Sequence, residues 1–399
     1  MQSLAGLVVL DLTHMLSGPY GAMLLTDLGA RTIKVEPPGQ GEGTRQLLAH
    51  NPDYSRQGMG AYFLTLNRSK ESVCVDLKTD AGRAVFYDLV RHADVVIDNF
   101  SVGVTRRLHI DHDTLAAINP RIVTCSISGF GETGPETKRP AFDQVVQGMG
   151  GGMSITGTAA SGPMRSGIPI GDLGGGIFGA LGVLAALVSR SVTGVGRHVD
   201  VSMLDVQISM LNYMATMYLM SGIVPERLGN GHFVHVPYNT YRTQTHHIII
   251  ACIGDAFFKQ ILDVIDRPEL RDERYLSQPA RLADKDLIDR VIEEELLTHS
   301  ADHWLEKLRG ARIPCAPVND FAQALDDAQV KARNMVVEVE LQSGEVVKMP
   351  GNPIKFSDSP EETFTAPPML GQHTDHVLRD LLRYSSEQVD ALREAGVIQ

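Results

Sequence analysis

Disulfide chemistry has little to work with in this chain. Its 399 residues hold four cysteines, Cys74, Cys125, Cys252 and Cys315, far apart and outside any CxxC or Cys/His cluster. They read as reduced, mostly buried thiols, which excludes a disulfide frame or a structural zinc site. Positive charge is also short: 36 Lys and Arg against 48 Asp and Glu leave a formal charge of −12. That balance argues against nucleic acid as a partner, since binding it usually needs a basic face. No uninterrupted apolar run reaches the length of a membrane span, and residues 1–6 lack the basic-then-apolar layout of a signal peptide. The expected setting is the cytoplasm, with no membrane attachment. Nucleotide signatures are missing as well. There is no P-loop, and residues 148–152 lack the strand–turn–helix context of a dinucleotide fingerprint. Gly-x-Ser-x-Gly is also absent, so an α/β-hydrolase elbow is not supported.

What remains is the composition of an ordinary globular protein, 43% hydrophobic and 21% charged, long enough for about two domains. The first half alternates short β-branched runs with helical patterns. Strands are expected at 7–11, 31–35, 71–77, 94–98 and 121–126, with helices at 21–28 and 82–91. Such alternation implies βαβ units and a mainly parallel sheet, an α/β fold. Loops at 37–41 and 131–139 lie at strand ends, where α/β proteins usually hold their sites. Apolar stretches at 179–187 and 201–220 read as buried helices. The texture changes near Pro225, after which a strand at 247–252 and helices at 257–265, 285–297 and 301–308 suggest a smaller α+β domain. A hairpin across Ser343-Gly344 and an amphipathic helix at 374–382 precede a polar tail. The expected division is 1–225 for the large domain, 226–325 for the small one, and 326–399 returning to the large domain.

Asp172 stands out within Gly171-Asp172-Leu173-Gly174-Gly175-Gly176, ahead of the apolar run 177–188. A carboxylate at a strand-to-helix corner, followed by bare glycines, is open to a large ligand. The backbone amides of Leu173 to Gly176 could hold an oxyanion, as free N–H groups at helix N-termini do. Asp172 alone would also serve as an N-cap. His232, His235, His246 and His247 cluster, but no carboxylate completes a usual ligand spacing, and no metal is expected. Lys34, Arg45, Arg68, Lys70, Arg106, Arg107, Lys138 and Arg139 lie at or just after predicted strand ends, where a phosphorylated ligand would want them.

A series of short motifs runs along the chain in order. It includes Leu10-Asp11-Leu12-Thr13-His14 with Gly18-Pro19, Ile33-Lys34-Val35-Glu36-Pro37, Asn67-Arg68-Ser69-Lys70 and Asp98-Asn99-Phe100. It continues through Ser128-Gly129-Phe130-Gly131, Gly171-Asp172, Val199-Asp200-Val201-Ser202-Met203, Pro314-Cys315-Ala316-Pro317 and Arg333-Asn334-Met335. In these motifs the chain resembles the class III coenzyme A transferases, the group that includes formyl-CoA:oxalate and carnitine CoA transferases and the α-methylacyl-CoA racemases. The resemblance implies a Rossmann-like large domain whose mainly parallel sheet is formed by both chain ends, a smaller α+β domain, and an interlocked homodimer. It implies Asp172 as nucleophile, passing through a mixed anhydride and an aspartyl-CoA thioester, with Gly174, Gly175 and Gly176 around the oxyanion. An ordinary carboxylate is ionised at neutral pH, so no partner base is required. CoA contacts are implied for Ser17, Leu66, Asn67, Asn99, Phe100 and Arg107, with Lys138 and Arg139 close by. No cofactor is held permanently; acyl-CoA is a substrate, with a small carboxylate as its partner.

Departures narrow the expectation. Formyl-CoA enzymes carry glutamine at Leu16, arginine at Pro37 and lysine near Pro140, and a longer glycine-rich lid than Gly229-Asn230-Gly231. Leu16 and the runs 34–39 and 349–355 look more like the acetyl-CoA:oxalate branch. The implied reaction moves CoA from acetyl-, succinyl- or formyl-CoA to oxalate or another dicarboxylate. Arg45, Arg242, His232 and His235 are candidates to bind that acceptor. Racemases need a histidine where Phe142 stands, and a phenyl ring exchanges no proton; a racemase and a non-catalytic CoA-binding protein are the alternatives.

Overall fold

The computed structural model describes residues 2–358 and 362–399. Two units form: one holds residues up to 152, 165–223 and 329–399, the other 153–164 and 224–328. The stretch 153–164, given to the large domain from sequence, therefore clusters with the second unit. Backbone pairing explains it, since the Gly229 N–H donates to the Gly157 carbonyl at 2.9 Å and Arg227 bonds the Thr158 carbonyl.

Six short runs build the sheet of the first unit: β1 (Val8–Asp11), β2 (Arg31–Glu36), β3 (Glu71–Cys74), β4 (Val95–Asp98), β5 (Val123–Ser128) and β6 (His198–Ser202). Every pairing is parallel and the order is β3-β2-β1-β4-β5-β6. β4 is buried along its whole length, as a parallel sheet covered on both faces requires. Alternate residues feed two cores. Val9, Val95 and Ile97 pack with Leu25 of helix α1 (Ser17–Asp27), while Leu10, Ile33 and Val73 pack with Phe86 and Leu89 of α2 (Asp80–Arg91). The strand order reverses between β1 and β4. The turns after Asp11 and Asp98 consequently flank a crevice at the carboxyl ends of the strands, the usual ligand position in such sheets.

Both chain ends contribute to this unit, but the six sheet strands all lie between residues 8 and 202. The C-terminal part adds the antiparallel hairpin Val336–Glu340 with Val346–Pro350 and a single bridge from Ile398 to Val75. The supposed polar tail is a helix, Ser386–Glu394, closed by a capping box between Ser385 and Gln388. Three more helices matter for the site: α3 (Asp143–Met149), α4 (Ile170–Thr193) and α5 (Met203–Ser221).

A buried helix through 201–220 is not what forms. His198–Ser202 alternates polar and apolar residues and pairs as the sheet's edge strand, and α5 begins only at Met203, capped by the Ser202 hydroxyl. Its outer face is open, with Leu219 and Met220 exposed. By length and composition α4 could cross a membrane, against the reading that no segment reaches that length; half of its apolar window is buried in the protein. In the second unit, Tyr238–Arg242, His247–Ala251 and Cys315–Pro317 make a three-stranded antiparallel sheet. Helices Asp255–Val264, Lys285–Leu296 and Ala301–Gly310 close its core around Phe258 and Trp304.

Candidate active site

Asp172 sits in the first turn of α4, not at a strand-to-helix corner and not at the N-cap. Pro169 occupies the cap position and offers no side-chain acceptor. The orphan amides are met from elsewhere: Oδ1 of Asp143, the first residue of α3, accepts the N–H groups of Gly171 at 2.8 Å and of Asp172 at 3.2 Å. Gln147 holds the other oxygen, its Nε2 donating to Asp143 Oδ2 at 2.6 Å, while its Oε1 accepts the Ser166 N–H at 2.9 Å. A Cβ on Gly171 would stand 2.7 Å from Val146 Cγ2 and 3.0 Å from Asp143 Oδ1, so only glycine lets the two segments approach. Burial, and then the Asp143 charge, raise the Asp172 carboxyl to about 6. It is not the ordinary carboxylate assumed from sequence.

Asp172 opens into a cavity of about 510 Å³ within the first unit. Of the residues expected to contact CoA, Ser17, Asn99, Phe100, Arg107, Lys138 and Arg139 line it together with Asp172. Asn99 does so as a brace: it accepts the His14 N–H at 2.9 Å and donates to the His14 carbonyl at 2.7 Å. Arg107, Lys138 and Arg139 are all exposed; Arg139 is also paired with Glu136 at 3.3 Å and lies over the Phe130 ring. Phe142 is 67% exposed at the mouth of α3.

Several expected residues are elsewhere. Leu66 and Asn67 are buried, and Asn67 is engaged with the Phe63 carbonyl and the Lys70 ammonium, so neither faces the cavity. The amides of Gly174, Gly175 and Gly176 lie past the first turn of α4 and are spent on carbonyls four residues back, leaving no donor for an oxyanion. Those glycines serve packing. A Cβ on Gly175 would meet Ser17 Oγ at 2.6 Å, and one on Gly176 would meet the Ser17 carbonyl at 2.5 Å. Four of the basic residues at strand ends are buried in ion pairs. Arg45 grips Glu36 with two bonds of 2.7 Å, and Arg68 grips Asp27. Lys70 and Lys34 stand 2.8 Å and 3.7 Å from Asp11 Oδ2. Burial alone would raise Asp11, but the two ammoniums hold it down at about 2. Lys34 also donates to the Thr13 carbonyl at 2.8 Å, which anchors the loop leading to His14.

Arg45 is therefore not free for an acceptor carboxylate, and in the second unit Arg242 is bound to Glu293 at 2.7 Å. His232 and His235 are stacked, and His232 Nδ1 accepts backbone N–H groups. Sequence reasoning missed Tyr62 and His14, which both line the cavity. Burial and the charges of Asp172, Asp143 and Glu42 push the Tyr62 phenol up; burial pulls His14 down. The Asn99 brace on His14 has no sequence signature, and Tyr62 lies in a short helix that carries no motif.

The profile of CoA-transferase family III matches residues 4–374. The chain is 42% identical over 366 residues to the acetyl-CoA:oxalate CoA-transferase of Acetobacter aceti, covering 91% of this chain and 92% of that protein. It is 36% identical to the succinate–glutarate CoA-transferase of Agrobacterium fabrum, covering 95% of each. A crystal structure of a CAIB/BAIF family protein from Brucella suis superposes with a TM-score of 0.85 at 36% identity, over 96% of this chain and 99% of that one. The chain belongs to CoA-transferase family III.

Proposed function

We propose that this enzyme moves coenzyme A from a small acyl-CoA to oxalate or another small dicarboxylate through covalent intermediates on Asp172. One observation carries the reading. A carboxylate raised to about 6 shares a cavity of about 510 Å³ with two exposed cations, Arg107 and Lys138, suited to a phosphorylated ligand. At pH 7 such a group is about nine-tenths ionised and more basic than an ordinary carboxylate, so it attacks without a partner base.

The cycle balances without a proton. An Asp172 oxygen attacks the donor thioester carbonyl, the C–S bond breaks, and CoA leaves as thiolate, giving a mixed anhydride. The thiolate attacks the Asp172 carbonyl carbon and expels the donor acid as carboxylate, leaving an aspartyl-CoA thioester. An acceptor carboxylate attacks that thioester and releases the thiolate again. The thiolate then takes the acceptor's acyl carbon and frees Asp172. With the helix amides occupied, Tyr62, whose phenol stays protonated, is one neutral donor on the cavity wall that can serve the oxyanions. Leu16 and Pro37 favour acetyl- or succinyl-CoA over formyl-CoA as donor, in line with the named activities of the two relatives above. Two-base racemisation would lack its second base at Phe142.

Catalysis and CoA binding are assigned to the larger unit, and two copies are assigned to an interlocked homodimer. Val188 and Val192 near the end of α4, and Leu219, Met220 and Ile223 at the end of α5, are exposed apolar side chains that a second copy could cover. Four free cysteines suit a reducing cytoplasm. The test is incubation with acetyl-, succinyl- and formyl-CoA, a hydroxylamine quench, and mapping of the hydroxamate by mass spectrometry, with oxalate and related diacids as acceptors. The expected label is on Asp172. A label on Asp143, Asp200 or Asp205, or no new thioester with any diacid, would overturn the reading.

A further inference from the structure

A carboxylate in the first turn of a helix normally has a depressed pKa, because free N–H groups and the positive end of the helix dipole stabilise its charge. Asp172 occupies such a place and yet stands above the usual range. Burial is the larger cause; the geometry around Asp143 supplies the rest. The Gly171 and Asp172 amides, the donors nearest the Asp172 carboxylate along the chain, both point at Asp143 Oδ1. Asp143 thus cancels the electrostatic advantage of the helix terminus and adds a like charge beside the nucleophile. Its own orientation is fixed by the buried Gln147, which spans from Asp143 Oδ2 to the Ser166 N–H. The other titratable or charged groups on the cavity wall are Tyr62, His14, Arg107, Lys138 and Arg139.

We propose that Asp143 is a positioning residue for the transfer reaction: it takes up the amides at the head of α4, so that the Asp172 carboxylate is left unbonded and free to attack. This rests on Asp172 being the nucleophile. Gln147 belongs to the same device, because it keeps Asp143 turned toward the helix.

Asp143→Asn separates cap from charge, since the amide oxygen can still accept both N–H groups. Acylation by acetyl-CoA is followed in a single turnover between pH 4.5 and 8, read as hydroxamate on residue 172. In the wild type the rate should fall as pH drops through about 6. In D143N the acid limb should shift to lower pH, and in Asp143→Glu it should return toward the wild-type position. A purely structural cap would lower the plateau and leave the limb in place, and that result overturns the proposal. Carbon-13 titration of the Asp carboxyls in the intact wild-type protein gives a second measurement, independent of whether D143N folds. The Asp172 signal should titrate near 6; titration in the ordinary carboxylate range would overturn the proposal. Wild-type protein without hydroxamate on Asp172 would instead defeat the nucleophile assignment itself.

Discussion

Asn99 holds the peptide of His14 at both ends, accepting its N–H and donating to its carbonyl. The turn after β4 thereby fixes the turn after β1, and both line the cavity that contains Asp172. Asn99→Ala leaves two partly buried backbone groups without partners, at a cost of about 1–3 kcal/mol. Thermal unfolding should show that loss. Steady-state kinetics should show KM for acyl-CoA rising more than kcat falls; an unchanged KM would remove this loop from the CoA site.

Acylation should depend on the ionisation of Asp172. With its carboxyl near 6, the rate should be level from pH 7 to 8 and half-maximal near pH 6. Stopped-flow release of CoA thiolate measures it. A limb near pH 4 would mean that burial does not perturb the group.

Asp172→Asn should abolish transfer and stabilise the fold. The folded pKa of about 6 exceeds the ordinary 3.8, so the native state binds the proton more tightly than the unfolded chain. The ionised form therefore costs stability above pH 6, and the cost is relieved as pH falls from 6 toward 3.8. The variant removes it at neutral pH, a gain of roughly 1–3 kcal/mol. Calorimetry at pH 7.5 should show a higher Tm, and at pH 4 the difference should shrink.

Lys70→Met should be severe. It withdraws one ammonium from the buried Asp11 and leaves the Pro19 carbonyl and Asn67 side chain without their donor. Breaking a buried pair costs roughly 3–5 kcal/mol. Asp11 is held near 2, below its ordinary 3.8, so its share of stability is present above pH 3.8 and lost as pH falls through 2. Urea unfolding at pH 7 should register the loss, and a change under 1 kcal/mol would contradict the pairing.

Gly176→Ala places a Cβ 2.5 Å from the Ser17 carbonyl oxygen and 3.0 Å from the Gly21 nitrogen. Both neighbours are backbone and can yield only by moving α1. Destabilisation of about 1–3 kcal/mol is expected from denaturant unfolding, together with loss of activity, because α1 bears Ser17 on the cavity wall.

The sheet was legible because its strands are short apolar runs buried on both faces, and the charged helices of the second unit showed a clear helical period. β6 escaped notice because its polar alternation merged with the apolar start of α5. The Ser385–Gln388 capping box was present in the sequence and could have identified the last helix. Asp172 was conspicuous through its glycines, but their reason was misread: they admit α1 and α5, not an oxyanion. Asp143 lies 29 residues from the amide it caps, and nothing local announces such a contact. Inward and outward basic residues also look alike in sequence. Lys34 and Arg45 are buried, whereas Arg107 and Lys138 are exposed.

Gly21 and Gly176 bring α1 and α4 together backbone to backbone, with no side chains between them to slide or repack. The helix that carries Asp172 and the helix that forms part of its wall are thereby expected to move as one piece. Any motion that accompanies substrate binding is expected in other segments. Amide hydrogens in the middle of both helices should exchange with solvent slowly and in concert, opening only when the whole unit opens.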